Sequence, residues 1–164
     1  MWNDAFVVHV RPLLTGDLDA CLDIVRGLPE FFTAGAMEAI RHDLGRRRGW
    51  AAEEGAVVGF AVVERRSRAT AEILWAAVRR DRRGLGIGTR LIEHVLGALA
   101  EDGVVLVEVK TLDRSAGYDP YEPTRAFWEG RGFLQIDRID PLPGWQPGNP
   151  CAIYVAALGT TRPG

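Results

Sequence analysis

The residues best placed to do chemistry lie between Glu72 and Thr89. At their centre is Arg82-Arg83-Gly84-Leu85-Gly86-Ile87-Gly88, with glycines at alternate positions. An apolar run ending at Ala76-Ala77-Val78 precedes it, and a stripe of Leu91, Ile92, Val95, Leu96 and Leu99 follows. These periods predict a buried strand, a turn and an amphipathic helix. The first turn of a helix leaves N–H groups without intrahelical partners, which a Ser, Thr, Asp or Asn side chain usually caps. None of Gly84, Leu85, Gly86, Ile87 and Gly88 can do so. The amides of Gly84 to Thr89 are therefore expected at the positive end of a helix dipole, beside Arg83. Such an arrangement is an anion cradle, and phosphate is its usual occupant. The plainer reading is a flexible strand-to-helix turn whose amides are solvated.

Which phosphate is a separate question. A nucleotide P-loop requires GxxxxGK[ST], and no lysine occurs near these glycines. A dinucleotide fingerprint requires GxGxxG; counting from Gly84 and Gly86, the third position is Thr89. That alternative fails at one residue and stays open. Other chemistries find less support. Cys21 and Cys151 are far apart and lack a CxxC neighbour, which reads as two reduced core thiols. His9, His42 and His94 share no metal-ligand spacing, so no metal is expected.

The elements that must position this segment follow from period and punctuation. Phe6–Arg11 reads as an opening strand. Thr15-Gly16-Asp17 caps a helix closing near Gly27, with Leu18, Leu22 and Val25 on one face. Thr33–Arg48 reads as a second helix, on whose end Arg46, Arg47 and Arg48 form a solvated basic cluster. Trp50–Glu54 and Ala56–Arg66 bracket Gly55 as a hairpin, and Thr70–Arg79 is a central strand. The helix after the glycine turn closes near Gly103, and Val104–Lys110 is again a buried type of strand. Thr111–Glu122 reads as a polar loop. Pro123 and Gly132 delimit a short helix, Thr124–Arg131, and Phe133–Ile139 and Cys151–Leu158 supply two last strands. The order β-α-α-β-β-β-α-β-α-β-β predicts an α/β fold in one domain spanning residues 1–164. It has a mixed, mostly antiparallel sheet of about six to seven strands flanked by about four helices.

Within this frame Arg83-x-x-Gly86-x-Gly88 resembles the [Q/R]xxGx[G/A] pyrophosphate signature of the GNAT superfamily of N-acetyltransferases. Val10-Arg11-Pro12 followed by Asp17-Leu18 is similar to that family's opening strand and helix. Ala126-Phe127-Trp128-Glu129-Gly130-Arg131-Gly132-Phe133 resembles its late helix ending in GF. The resemblance implies acetyl-CoA as cosubstrate and direct attack of an amine on the thioester. The amides of Gly84, Leu85, Gly86, Ile87, Gly88 and Thr89 would hold the pyrophosphate, with Arg83 nearby. The edge of Ala76, Ala77 and Val78 would bind the pantetheine arm like an added strand. The Val78 amide would polarise the thioester carbonyl.

An amine must lose a proton to attack, so a base or a water path is required. The stretch from Ala71 through Gly88 resembles, without gaps, the matching strand of histone-type members, where the residue at Glu72 is the base. Glu72 and Val78 share a strand face about 20 Å apart at ~3.3 Å per residue, so Glu72 would act through water. Its bland alternative is a strand-end carboxylate facing water. Glu108 on the next strand is the second candidate, with pairing to an Arg or Lys as its bland alternative. The family's usual acid, a Tyr just before the E-x-x-G-F stretch, is here Trp128, which cannot supply a proton at a useful pKa. Tyr121, seven residues earlier, is the candidate acid, with Tyr118 as the other choice. Trp128 is then a wall against the cofactor or plain core. Phe31 and Phe32, in the link between the first two helices, either line the acceptor pocket or anchor the core.

Composition bounds the partners. The chain has 164 residues and a formal charge of −2, which argues against nucleic acid as the main partner. No run of about 18 apolar residues predicts a membrane span. Met1-Trp2-Asn3-Asp4 lacks the order of a secretory signal, which makes the cytoplasm the expected location. Lys110 is the only lysine, a bias attributable to coding composition. The acceptor is expected to be a small-molecule amine. Family habit and an exposed apolar tail strand, Ala152–Leu158, suggest a homodimer.

Overall fold

A computed structural model describes residues 7–159 of the chain, so Met1-Trp2-Asn3-Asp4 and Phe6 lie outside the described residues. The elements are β1 (His9–Pro12), α1 (Leu18–Arg26), α2 (Ala34–Leu44), β2 (Arg48–Glu53), β3 (Val57–Arg65) and β4 (Thr70–Val78). They continue with α3 (Ile87–Glu101), β5 (Leu106–Leu112), α4 (Glu122–Gly130), β6 (Leu134–Ile139) and β7 (Cys151–Ala157). This is the element order the sequence predicts. The seven strands hydrogen-bond in the order β1-β2-β3-β4-β5-β7-β6. The pairs β1·β2, β2·β3, β5·β7 and β6·β7 are antiparallel. β4 and β5 are joined through α3, the helical crossover that parallel neighbours require. Among the described residues no helix is long and apolar enough to cross a membrane.

The chain divides into two compact units. The first comprises residues 7–64 and Ile73–Ala98. Its core joins Cys21, Leu22, Ile24 and Val25 of α1 to Ile40 and Leu44 of α2, Phe60 and Val62 of β3, and Ala77 of β4. Gly27 ends α1. At the start of α2 the Thr33 hydroxyl accepts the Ala36 N–H at 3.2 Å and caps the helix. Ahead of α1, Asp17 and Leu14 bond reciprocally. The Leu14 N–H donates to the Asp17 carboxylate at 2.7 Å, and the Asp17 N–H to the Leu14 carbonyl at 2.9 Å. Arg11 of β1 holds the same carboxylate through two nitrogens at 2.7 and 3.0 Å.

α2 is shorter than its periodicity suggests. It stops at Leu44, before Gly45, where the Asp43 carbonyl collects the N–H groups of Arg46 and Arg47 in a tight turn. Arg48 consequently opens β2, with its guanidinium over the Trp50 ring at 4.7 Å, rather than ending a helix.

The second unit comprises Arg65–Glu72 and residues 99–159. Thr111 and Leu112 continue β5 instead of opening a loop, paired with Ala152 and Cys151 of β7. The loop that follows contains two short turns, Arg114–Ala116 and Asp119–Tyr121, the second leading directly into α4. β7 corrects the expectation of an exposed tail strand. It lies between β5 and β6, and Cys151, Ala152, Ile153 and Tyr154 are buried. The sheet edge is β6, where all six residues are exposed, Leu134 at 72% and Ile136 at 64%. The sequence argument for a dimer through Ala152–Leu158 therefore has no exposed strand behind it.

Candidate functional site

In the first unit, β4 runs into a short 3-10 turn, Arg80–Arg82, then Arg83 and the glycines, before α3 starts at Ile87. Gly84 and Gly86 have φ of +74° and +80°, the left-handed region that glycine adopts without penalty. A Cβ at either position would meet nothing within 4 Å. The turn thus has a conformation only glycine favours and an open space in front of it, which a ligand could fill. The Gly86 carbonyl accepts the Arg90 N–H at 3.1 Å, the first bond of α3, so the helix dipole begins within the turn.

The turn is pinned to the α1–α2 link. Arg80 donates from Nε to the Gly27 carbonyl at 3.0 Å and from Nη2 to both Glu30 oxygens at 2.5 and 2.6 Å. Arg83 lies over the Phe31 ring at 4.6 Å. Phe31 and Phe32 are both half-buried against the first core, and Phe32 sits 6.5 Å from Trp75 of β4. The Trp75 indole N–H is fixed by Asp43 of α2 at 2.8 Å. Ala76 and Val78 are half-buried and Ala77 is in the core. The Arg79 N–H, one residue on, donates to the Val58 carbonyl of β3 at 2.7 Å. Sequence reasoning pointed to the glycines and Arg83, which the structure places together in this turn. It missed Arg80 and Glu30, whose pairing across fifty positions leaves no local signal.

In the second unit, Glu72 is 4% exposed rather than facing water. Lys110 reaches both its oxygens at 3.1 Å, and Arg66 donates to Oε2 from Nε at 2.9 Å and also from Nη2. Lys110 also lies 3.0 Å from Glu108 Oε1, and the Glu108 side chain is 36% exposed. Both candidate bases therefore converge on one ammonium. Burial opposes the charge on Lys110, but the hydrogen bonds to Glu108 and Glu72 prevail and hold its pKa above that of an ordinary lysine.

Tyr121 is half-buried and precedes α4 with its backbone already helical, φ −86° and ψ −7°. Its ring centre is 6.0 Å from that of Tyr118. Burial, and then the neighbouring Tyr118, raise its pKa, so the phenol keeps its proton at neutral pH. Trp128 is buried edge-on against Phe127 and Phe133, each ring centre at 5.1 Å. A further residue that the sequence did not announce is Arg125 of α4, buried, donating to the Leu112 carbonyl at 2.7 Å and to Glu122 at 2.5 Å.

A sheet whose central strand feeds a glycine turn and then a helix defines an α/β protein. The model of the acetyltransferase (GNAT) domain matches residues 45–134, more than half of the chain. The chain belongs to the GNAT acetyltransferase family. No curated protein matches the sequence. Among solved structures, a GNAT-family protein from Desulfovibrio desulfuricans superposes with a TM-score of 0.82 at 22% identity, covering 93% of this chain and 100% of its own. The ribosomal-protein-S18-alanine N-acetyltransferase from Escherichia coli gives 0.75 at 19% identity, covering 95% and 97%. A GNAT acetyltransferase from Elizabethkingia anophelis with acetyl-CoA bound gives 0.69 at 18%, covering 92% and 98%. At these identities the likeness is one of fold.

Proposed function

We propose that this chain transfers the acetyl group of acetyl-CoA to the amine of a small molecule, by direct attack in a ternary complex. The observation that carries the proposal is the open left-handed turn at Gly84 and Gly86, leading directly into α3. Its amides, through Thr89, would hold the diphosphate of coenzyme A, and Arg83 would add charge beside it. Ala76, Ala77 and Val78 would offer their strand edge to the pantetheine arm, with the Val78 amide aimed at the thioester oxygen as charge builds there. Trp128, fixed by Phe127 and Phe133, would serve as a rigid wall.

The new amide N–C bond forms as the C–S bond breaks and the thiolate leaves. Glu72 would take the amine's proton through water, and Tyr121, held protonated, would supply one to the thiolate. A coenzyme A thiol has a pKa near ~8.5, so the thiolate departs with modest help. The acetyl-CoA bound in the Elizabethkingia anophelis structure of the same fold supports the choice of cosubstrate. An amine-acceptor panel read by thiol release tests the reading. Turnover with at least one amine is expected. Micromolar coenzyme A binding without turnover across the panel would instead support a non-catalytic acyl-CoA-binding module, which Trp128 at the usual acid position favours. Absence of binding would refute both.

A further inference from the structure

We infer that Lys110 is a positioning residue for the proton-accepting carboxylates: one ammonium holds Glu72 of β4 and Glu108 of β5 at hydrogen-bond distance simultaneously and sets the proton affinity of the pair. This rests on the acetyl-transfer reading above. Glu108 and Lys110 are two residues apart on β5 and so share a face of the sheet. Nζ lies 3.1 Å from each Glu72 oxygen and 3.0 Å from Glu108 Oε1.

The choice of residue is itself informative. The chain has 20 Lys and Arg residues, of which Lys110 is the single lysine. Whatever drives that bias, lysine survives where geometry demands it. A compact ammonium points three donors in three directions, whereas a guanidinium confines its donors to one plane. At Lys110 the ammonium reaches two carboxylates on adjacent strands at once. Glu72 receives Lys110 at both oxygens and Arg66 at Oε2, close to filling the roughly four lone-pair sites a carboxylate offers. A proton arriving there must displace a donor, and Lys110, shared with Glu108, has a second carboxylate to turn to.

The groups facing Lys110 are Glu72 of β4, Arg66 of the turn before it, Glu108 of its own strand and Cys151 of β7. Arg66 stays charged, and burial pushes the Cys151 thiol up to about 11. Neither of these two neighbours therefore changes charge near neutral pH. Lys110→Gln should move the acid limb of the kcat/KM profile upward by about 1 pH unit or more, the usual effect of removing an adjacent cation. Coenzyme A affinity should stay within about twofold. Lys110→Arg restores the charge, and so the limb's position, but not the wild-type kcat. Because the lysine is unique, its side-chain signal in a nuclear magnetic resonance titration of the unmodified protein reads the same event without any variant. That signal should step at the pH of the acid limb. A folded Lys110→Gln protein with an unmoved limb, or a wild-type lysine signal without that step, overturns the inference. Glu72→Gln and Glu108→Gln separate the two levels. If both turn over at the wild-type rate, the carboxylate-base reading itself fails; if either is slowed while the limb stays put in Lys110→Gln, only the role of Lys110 falls.

Discussion

Replacing Gly86 with alanine separates the cradle's two properties, its backbone conformation and its open space. At φ +80° an alanine pays left-handed strain of about 1–2 kcal/mol, and with nothing within 4 Å of the new Cβ no steric term is added. For a chain of this size each kcal/mol lowers Tm by about 2–4 °C, so the free protein should melt about 2–8 °C lower and remain folded. The effect on ligand is of another kind. On the proposed function the methyl group would stand where a diphosphate oxygen approaches the amides, and losing one charge-assisted hydrogen bond costs about 1.5–3 kcal/mol, roughly 10- to 100-fold in Kd. Melting with coenzyme A at 100 times the wild-type Kd reads both effects together. The wild type gains about 2.7 kcal/mol and the variant about 1.4 kcal/mol or less, which halves the shift in Tm. Gly103→Ala is the matched control, with φ +85° and equally open space in the turn after α3. It should show the strain and keep the full ligand shift. If Gly86→Ala melts lower yet retains the whole shift, the turn does not grip the diphosphate.

Other outcomes follow from the rest of the chain. The Arg11 hydrogen bonds hold the Asp17 carboxyl below the ordinary range against the cost of burial, so its contribution to stability is complete above about pH 3.9 and is lost as pH falls further. Acid melts of Arg11→Met, already missing that contribution, should show a shallower loss below pH 4. Burial lifts the Cys21 thiol to about 12 and Cys151 to about 11. Both should therefore resist thiol reagents in the native protein at pH 8, and stability should decline as pH rises past about 8.5, where the unfolded thiols ionise. Gly49→Ala would place a Cβ 2.7 Å from the Ala61 carbonyl oxygen and 2.4 Å from a Leu13 methyl, and should cost about 1–3 kcal/mol in urea unfolding.

The fold was largely legible because its punctuation is local. Gly27 closes α1 and Pro123 sits at the start of α4, each acting within a few residues, whereas Gly45 ends α2 before the Arg48 that periodicity suggested. What was hidden is whatever depends on strand order. Cys151–Leu158 and Phe133–Ile139 are both short apolar-to-mixed runs near the C-terminus, and nothing in either says which becomes the edge. Only the order β5-β7-β6 buries the last strand and exposes Leu134 and Ile136. Arg125 was equally unreadable, since an arginine in an amphipathic helix defaults to solvent and only the Leu112 carbonyl and Glu122 make its burial tolerable.

The same distinction divides the candidate site. A phosphate cradle is made by the main chain, and glycine is the one residue whose presence reports main-chain geometry directly, so Gly84 and Gly86 could be read one after another. An acid–base cluster is made by side chains meeting across strands, and Glu72 finds Lys110 thirty-eight positions away. Sequence spacing placed Glu72 and Glu108 on neighbouring strands but could not see the cation between them. One trace of it was present, the solitary lysine in an arginine-rich chain, and it was read as composition. Where a chain uses one residue type everywhere and its near-equivalent once, the exception is better read as geometry, and here that geometry is an ammonium shared by two carboxylates.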